Sequence, residues 1–577
     1  MFSPSLAAML FQSIAQDVLS ERQRKESTHI GGDSGLSAMA SRLVSFPWAP
    51  LELTPIDFEW ETWTALGPAP LEWSRLPVVG RVASDIELGA FREYITSDRA
   101  EGFVYLWGRV PVDVLANSFA EVRDEPADRY YLDLGTPLRT EGSGTRYDKD
   151  CYRDLQLTAP NPGSAKCGVA IIDLGQDPKH GLDDYNRRLR HTVTGNIELS
   201  EHAEKVLSIL LARLGTLLPD TTVSCALVRR PATAIASGKG CFDQATSVEL
   251  CDAVLALEPQ LNSDNLPAAI NISLGTHVGP HNGDSPLEEY IATKLCRPRD
   301  RFVVVAAGND GGSGLAAKRE LSAGSRDYLK ILTGRRCQDL LVEFWWYEPV
   351  ASTVFVEVDV FELIATGGRA HRGTARIRSG KSGNILNLVR MGLPSSFIAQ
   401  ALFHSRCRND LSCLAFSISG TSGAMPALEI EFALESTVDV TVNAWIVVCE
   451  PQPQTTFVEG GADGTVRVPA SDPHVISVAG NDSYGQQWVN SSRGPSAIYG
   501  GGPKEGAPLM SHLVSLSSES GTSFSSPRAC GDLLKAIADP SKLPNCNDAT
   551  DLICEAYGLT RSTLIWNGRS GYHKVTV

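Results

Sequence analysis

The most informative segment of this chain is ESGTSFSSPRACGDLLKAI, residues 519–537. A Gly-Thr-Ser turn at 521–523 leads into a run whose apolar residues have helical spacing. Ser523 is therefore expected just at the start of a helix, where the backbone dipole places partial positive charge. A hydroxyl in this setting is a candidate nucleophile.

Two other segments carry residue types that a serine nucleophile requires. In VAIIDLGQD an apolar strand ends in Asp173, and in SEHAEKVLSIL His202 opens an apolar helix. Both segments lie in a part of the chain where apolar runs without alternation separate helical segments; these runs cover 169–172, 223–228, 268–272 and 302–307. Such runs are typical of a parallel sheet covered on both faces. We therefore expect an α/β domain of the doubly wound type.

The pattern changes between residues 340 and 448, where short strands alternate with a period of two. This alternation is typical of an antiparallel β-sandwich. Because the α/β pattern returns after residue 475, we interpret 313–460 as a β-sandwich inserted into one α/β domain, whose two parts are 166–312 and 461–577.

The N-terminal third divides into three further segments. Residues 74–138 show the order β-α-β-α-β and are expected to form a small α+β module. Residues 1–73 form a helical and irregular extension, and 139–165, rich in Gly, Ser and Thr, form an exposed linker.

Taken together, these motifs resemble the subtilisin-like serine peptidases, or subtilases. That family's nucleophile motif is G-T-S-x-[AS]-x-P, which residues 521–527 match fully, and the order Asp, His, Ser along the chain is that of subtilisin. Supporting segments similar to the family are INISLG at 270–275, AAGND at 306–310, VISVAG at 475–480 and SSRGP at 491–495. The resemblance covers 166–312 and 462–575.

The resemblance implies a subtilisin-like fold and a serine endopeptidase that works through an acyl-enzyme. Ser523 would be the nucleophile, His202 the base that takes its proton, and Asp173 the carboxylate that orients the imidazole and stabilises the imidazolium. Asn309 would donate its amide to the developing oxyanion, together with the backbone N–H of Ser523. The expected substrate-binding residues are Ser273, Leu274 and Gly275.

Several alternatives stay open at this stage. The family's usual histidine segment is H-G-T-H-V-A-G, whereas this chain has HAEKVLS from His202, so His180 and His191 compete for the role of base. A second motif of the same spacing contains Ser422, but a strand pattern follows it, and we interpret it as a turn of the sandwich. Asn309 could be an ordinary turn residue. The alternative function is a catalytically silent or partner-regulated scaffold with a subtilase fold.

The additional segments also resemble parts of known subtilases. The module at 74–138 is similar to a subtilase propeptide, which would be cleaved within 136–152; a permanent N-terminal domain is the alternative. The insertion resembles the jelly-roll domain of some bacterial subtilases. The expected partners are a protein or peptide substrate and, as an open possibility, a regulatory protein such as an ATPase.

The composition of the chain excludes several classes of protein. The 577 residues are 42% hydrophobic and 21% charged, which fits a globular protein, and the net charge of −15 argues against a general nucleic-acid binder. No apolar run is long enough for a membrane span, and the N-terminus is interpreted as an amphipathic helix rather than a signal peptide. The 13 unpatterned cysteines favour a reducing, cytoplasmic location. No cofactor is expected; Asp310 and Asp482 are calcium candidates without a clear ligand run.

Overall fold

The computed structural model describes residues 3, 5–6, 9, 75–112, 114–115, 118, 128–138, 165–176, 191–192, 198–228, 245–297, 300–334, 339–347, 354–364, 367–378, 384–387, 397–408, 410–420, 427–449, 455–494, 510–516, 519–539, 549–560, 564–567 and 571–574. The chain divides into two compact units. Unit 1 comprises Met1–Gly135, Ala234–Asp243 and Gly314–Gly460. Unit 2 comprises Thr136–Thr233, Gln244–Ser313 and Gly461–Val577. Most of 1–73 and nearly all of the expected linker at 139–165 lie outside the described residues.

The N-terminal part of unit 1 is an antiparallel sheet with the order β2-β3-β1-β4. Its strands are β1 (Arg75–Ala83), β2 (Ile95–Ala100), β3 (Phe103–Pro111) and β4 (Tyr130–Leu134). The strands expected at 78–82, 102–110 and 130–134 are present, and the helix expected at 88–94 is a 3-10 helix at Gly89–Tyr94. Strand β2 was not predicted, because its sequence ITSDRA has little apolar content and is largely exposed. The helix expected at 112–122 lies mostly outside the described residues.

The first part of unit 2 alternates strands and helices. Its strands are β5 (Cys167–Gln176), β6 (His191–Thr192), β7 (Glu198–Leu199), β8 (Thr221–Val228), β9 (Ala268–Ile272) and β10 (Arg301–Ala306). Its helices are α1 (Glu201–Leu214), α2 (Ser247–Asp264) and α3 (Pro286–Leu295), with a 3-10 helix at Gly215–Asp220. Each α-helix begins at a hydroxyl N-cap, Ser200, Thr246 or Ser285, which satisfies backbone N–H groups of the first turn. In α2 and α3 a Glu completes a capping box.

Residues between β10 and the return of the α/β pattern form two antiparallel sheets in unit 1. The strands are β11 (Ala316–Leu321), β12 (Arg326–Leu332), β13 (Asp339–Tyr347), β14 (Val354–Leu363), β15 (Arg369–Arg378), β16 (Asn384–Asn387), β17 (Phe397–Arg408), β18 (Leu411–Gly420), β19 (Leu428–Ser436), β20 (Val440–Cys449) and β21 (Thr456–Phe457). One sheet has the order β11-β20-β13-β18-β17-β16 and the other β15-β14-β19-β12-β21. Their shared core includes Phe344, Phe416 and Phe432, and the ring of Phe432 contacts each of the other two. The alternating pattern indicated antiparallel strands, and the strands in this range pair in that way.

The extreme N-terminus belongs to this same unit. The backbone N–H of Ser3 donates to the carbonyl of Leu132 in β4 at 2.6 Å. The hydroxyl of Ser5 donates to the buried carboxylate of Glu343 in β13, which also accepts from the Trp345 indole N–H at 2.8 Å. These contacts give a short polar network that joins the N-terminus to β4 and β13.

The last part of unit 2 completes its sheet. Its elements are β22 (Ile476–Asn481), β23 (Met510–Leu513), β24 (Ser515–Leu516), β25 (Glu519–Ser520), α4 (Thr522–Ile537), α5 (Ala549–Tyr557), β26 (Leu564–Asn567) and β27 (Gly571–Lys574). Strand β22 pairs in parallel with β10, so the chain resumes beside the strand at which it left the sheet. Strands β24 and β25 form a hairpin that leads directly into α4.

The strand order of unit 2 creates a crevice at β5. The described sheet has the order β26-β27-β23-β22-β10-β9-β5-β8-β6, and β5 pairs in parallel with β8 on one side and β9 on the other. The direction of chain progress reverses between these two neighbours, so right-handed crossovers place α1 and α2 on opposite faces. Open α/β sheets bind ligands at the carboxyl ends of strands where this reversal occurs. Asp173 lies near the carboxyl end of β5.

Candidate active site

The carboxylate of Asp173 and the imidazole of His202 are in contact. Asp173 is fully buried, and its Oδ1 lies 2.8 Å from Nδ1 of His202, which is in the first turn of α1. The same oxygen accepts the backbone N–H of Leu174 at 2.7 Å. An ionised carboxylate can only accept, so the His202 proton sits on Nδ1 and Nε2 is left as the basic nitrogen. Nε2 is buried and has no hydrogen-bond partner within the described structure.

Ser523 lies in the first turn of α4, where the sequence placed it. The residue is 4% exposed, and Gly521 is the N-cap of the helix. The ring of the next residue, Phe524, lies 6.2 Å from the ring of His202, measured between centroids. The Ser523 hydroxyl donates to the carbonyl of Ser273 at 3.4 Å, and among the described contacts no hydrogen bond joins it to His202.

A small polar network fixes the backbone of this turn. The hydroxyl of Ser273 donates to the carbonyl of Ser523 at 3.3 Å and lies 3.2 Å from the hydroxyl of Ser526. It also accepts the side-chain amide of Asn271 at 3.0 Å. Ser273 therefore holds the start of α4 against the end of β9. The motif INISLG pointed to this strand, but not to this positioning contact.

Asn309 is held beside the same turn. Its Oδ1 accepts the backbone N–H of Thr522 at 2.8 Å and the Thr522 hydroxyl at 3.0 Å. The Thr522 hydroxyl in turn accepts the backbone N–H of Gly308 at 3.1 Å. Because the oxygen of the Asn309 carboxamide is committed in this way, the donating end of the group is its Nδ2.

A cavity of about 10 Å³ joins the predicted substrate-binding and oxyanion residues to the serine. It is lined by Ser273, Leu274, Gly275, Ala306, Gly308, Asn309, Arg467, Thr522 and Ser523. The structure thus brings Ser523, Asn309 and the 273–275 segment to one place, and it brings Asp173 and His202 together beside Phe524.

The cavity contains one residue that the sequence did not reveal, Arg467. Its side chain is 3% exposed and forms a buried ion pair with Asp310, in which Nη2 lies 2.9 Å from Oδ1 and Nε contacts Oδ2. His277 Nε2 lies 2.7 Å from the same Oδ2. Both oxygens of the calcium candidate Asp310 are therefore engaged by side chains. The other candidate, Asp482, accepts two backbone N–H groups of its own turn, from Tyr484 and Gln486.

The remaining candidates add little to this site. His180 and Ser422 lie outside the described residues, and only the backbone of His191 is described, in β6. No group of three or more His, Cys, Asp or Glu side chains suited to a metal ion occurs in the described ranges.

Burial raises the pKa of the Cys225 and Cys530 thiols, so these groups stay protonated. In the part of the chain that the structure covers, no helix has the length and apolar character to cross a membrane.

Comparison with known proteins gives structural likenesses only. No family model matches the chain. No curated protein matches it either. The structure of the Clostridium perfringens CspB protease is similar over 64% of this chain and 81% of that chain, at 18% identity and a TM-score of 0.48. The prenylagaramide maturation protease PagA is similar over 69% of this chain and 96% of that chain, at 14% identity and a TM-score of 0.28. The self-cleaved protease domain of PatA is similar over 68% of this chain and 87% of that chain, at 13% identity and a TM-score of 0.28. All three are proteases, but likenesses this distant define no family, and the functional conclusion depends on the geometry of unit 2.

Proposed function

We propose that this protein is a subtilisin-like serine endopeptidase with Asp173, His202 and Ser523 as its catalytic triad. The observation that carries the proposal is the 2.8 Å contact between the buried carboxylate of Asp173 and Nδ1 of His202. It leaves Nε2 of His202 as a proton acceptor, on a ring that contacts the residue following Ser523. A base oriented by a buried carboxylate is the arrangement that serine activation requires.

The proposed reaction begins with a rotation of the Ser523 side chain. Its hydroxyl leaves the carbonyl of Ser273 and donates to Nε2 of His202, and such contacts commonly tighten only when substrate binds. The oxygen then attacks the peptide carbonyl while Nε2 takes the proton. The imidazolium, stabilised by Asp173, returns that proton to the departing amine. Water then hydrolyses the resulting ester by the same route.

The negative charge that develops on the carbonyl oxygen has two sources of stabilisation. The Nδ2 group of Asn309, whose Oδ1 accepts two hydrogen bonds from Thr522, is the proposed side-chain donor to that oxygen. The N-terminus of α4 adds backbone N–H groups and the positive end of the helix dipole at Ser523. Removal of one such donor typically lowers the rate by about 10²–10³.

Covalent labelling tests this function. A fluorophosphonate probe should label the full-length protein at Ser523, as located by peptide mass spectrometry. Ser523→Ala should abolish labelling, whereas Ser422→Ala, in the second Gly-Thr-Ser motif, should retain it. Labelling at Ser422 instead of Ser523 would overturn the assignment.

One contact favours a second candidate, a catalytically silent or partner-regulated scaffold. The Ser523 hydroxyl is bonded to the carbonyl of Ser273 and not to His202. If this contact persists, the serine is not activated. A cooperatively folded protein that no fluorophosphonate labels would support this candidate against the first.

We also propose that residues 74–138 act as a propeptide. Residues 136–138 follow the N-terminal sheet and belong to unit 2. They contact other segments of that unit: the Leu138 N–H donates to the carbonyl of Ala245 at 2.8 Å, and the hydroxyls of Thr136 and Thr276 lie 2.5 Å apart. Thr276 directly follows the proposed substrate-binding segment. A propeptide whose carboxyl end lies beside this segment would be close to the proposed nucleophile. N-terminal sequencing of the purified protein tests the proposal, which expects a new N-terminus within 137–153; a chain of an active enzyme that still begins at Met1 contradicts it.

A further inference from the structure

The side chain of Arg467 crosses the cavity beside Ser523. A Cβ atom placed on Gly275 would lie 3.0 Å from Cβ and 3.2 Å from Cδ of Arg467. A Cβ atom on Gly308 would lie 3.0 Å from both Cγ and Cδ of Arg467. The aliphatic stem is therefore packed between two glycines that line the cavity from opposite segments, and only glycine leaves room for it at either position.

This side chain is fixed at both ends. Its guanidinium is paired with both oxygens of Asp310, which also contacts His277, and all three side chains are at most 5% exposed. Its backbone N–H donates to the carbonyl of Ala307 at 3.0 Å. Swinging the side chain out of the cavity would separate a buried ion pair, which typically costs several kcal/mol. Arg467 is thus a rigid part of the cavity wall.

We infer that Arg467 forms the floor of the pocket for the substrate residue that precedes the cleaved bond, and that it restricts this residue to Gly, Ala or Ser. The inference rests on the proposed peptidase function. The space that remains beside Ser523, about 10 Å³, corresponds to about one water molecule. We therefore expect a methyl or hydroxymethyl group to be the largest side chain that this space accepts without a movement of the ion pair.

The charge of Arg467 does not select an acidic substrate residue. Asp310 accepts from Nε and Nη2 of the guanidinium and compensates its charge inside the protein. A carboxylate on the substrate would therefore lose its hydration beside an ion pair that is already neutral overall. Arg467 is therefore expected to select the substrate residue before the cleaved bond by its size and not by its charge.

The protein's own sequence contains a segment that meets this restriction. The chain anchored at Leu138 continues as Arg139, Thr140 and Glu141, and then as Gly142, Ser143 and Gly144. These small residues lie within the region proposed for propeptide cleavage. A pocket closed by Arg467 would accept each of them as the residue before the cleaved bond.

The decisive experiment compares peptidyl diphenyl phosphonates that differ only in the residue next to the phosphorus: Ala, Leu, Phe or Asp. The second-order rate of Ser523 labelling is measured for each on the full-length protein. We expect the Ala probe to react at least about tenfold faster than the Leu and Phe probes, since a pocket that lacks room for added methylenes discriminates by this order. Equal rates for Ala and Leu, or a faster rate for Asp, would overturn the inference.

Two double variants separate size from charge. Arg467→Ala with Asp310→Asn removes both buried charges and opens the floor, so the preference should move toward Leu. Arg467→Met with Asp310→Asn removes the same charges but retains the bulk, so the preference for Ala should remain. An unchanged preference in the opened variant, or a lost one in the Met variant, contradicts the inference. If the opened variant does not fold, the wild-type rates still decide the matter.

A small alkyl fluorophosphonate without a peptide separates this inference from the proposed function. Ser523 labelled by this probe, together with no preference among the peptidyl probes, leaves the peptidase proposal intact and refutes the role of Arg467. No labelling by any probe refutes both.

Discussion

Thr522 holds the carboxamide of Asn309 with two hydrogen bonds, one from its backbone N–H at 2.8 Å and one from its hydroxyl at 3.0 Å. Thr522, which precedes the proposed nucleophile, thus orients the Asn309 carboxamide that is proposed to donate to the oxyanion. The Gly308 N–H, which donates to the Thr522 hydroxyl, ties the two segments together. The Thr522 hydroxyl is therefore one of the groups that fix the position of Asn309.

Replacing that hydroxyl should impair the chemical step and leave substrate binding nearly unchanged. Thr522→Val keeps the shape and the backbone donor but removes two hydrogen bonds, the one that the hydroxyl donates to Asn309 and the one that it accepts from Gly308. Because the bond to Asn309 is worth about 1 kcal/mol, we expect kcat to fall by roughly five- to tenfold. Thr522→Ser, which keeps the hydroxyl, is the control and should retain most of the activity. A rise in KM at unchanged kcat would argue against this positioning role.

The contact of Asp173 with His202 gives a second prediction. Asp173→Asn can present an N–H to the ring and stabilise the wrong tautomer, so kcat should fall by about 10³–10⁴ at neutral pH. Asp482→Asn, at a turn where an amide oxygen can still accept, is the matched control and should stay active. Near-normal turnover by folded Asp173→Asn protein would exclude the proposed triad.

Glu288, the N3 residue of α3, gives a pH dependence of stability. Burial, aided by the nearby charge of Asp472, raises the pKa of Glu288 to about 7. Because the folded state keeps the proton that the unfolded chain loses near pH 4.5, stability should fall as the pH rises from about 4.5 to 7. The full effect is at most ~3 kcal/mol, on the basis of 1.36 kcal/mol per pKa unit.

Glu288→Gln should remove this dependence. Glutamine mimics the protonated acid and can keep the contacts with Ser285 and Ser471. Urea unfolding at pH 5 and pH 8 should therefore show a variant that is close to wild type at the lower pH and more stable at the higher. Glu320→Gln, a substitution at an exposed carboxylate, should not reproduce this difference. Parallel pH profiles for wild type and Glu288→Gln would refute the explanation.

The contact between α1 and α4 gives a prediction for packing. A Cβ atom on Gly531 would lie 2.9 Å from both Cβ and Cγ of Arg213, whose guanidinium is paired with Asp532. Gly531→Ala should therefore separate the helices that carry His202 and Ser523 and destabilise the protein by about 1–3 kcal/mol in urea unfolding. Gly368→Ala is the control, since its nearest neighbour, Ile364, is 3.9 Å away. Equal unfolding midpoints for the two variants would contradict this account.

The sequence was sufficient for the elements whose patterns are local. The apolar runs predicted β5, β8, β9 and β10, and the Gly-Thr-Ser turn predicted the start of α4. The motifs also indicated Asp173 and His202 as partners, although the residues around His202 depart from the usual motif. Their contact depends on β5 and α1 being adjacent, which the strand-helix order already implied.

Residues whose environment is assembled from distant segments could not be predicted. Arg467 and Asp310 are 157 residues apart, and nothing near either one indicates that the arginine folds between two glycines. The contact of Ser273 with Ser526 could not be predicted for the same reason, because it depends on how closely β9 approaches α4. Strand β2 was missed for a different reason, because an exposed edge strand needs few apolar residues.

The parallel pairing of β10 with β22 joins Val304 to Ile476, and strands β11 to β21 lie between these two residues in the chain. A ribosome adds about 5–20 residues per second. Strand β22 is therefore synthesised on the order of ten seconds or more after β10. During that interval a nascent chain would hold a half-built sheet with an open edge, a known aggregation hazard. We therefore expect cellular folding of this protein to depend on chaperones that shield that edge until translation has passed residue 481.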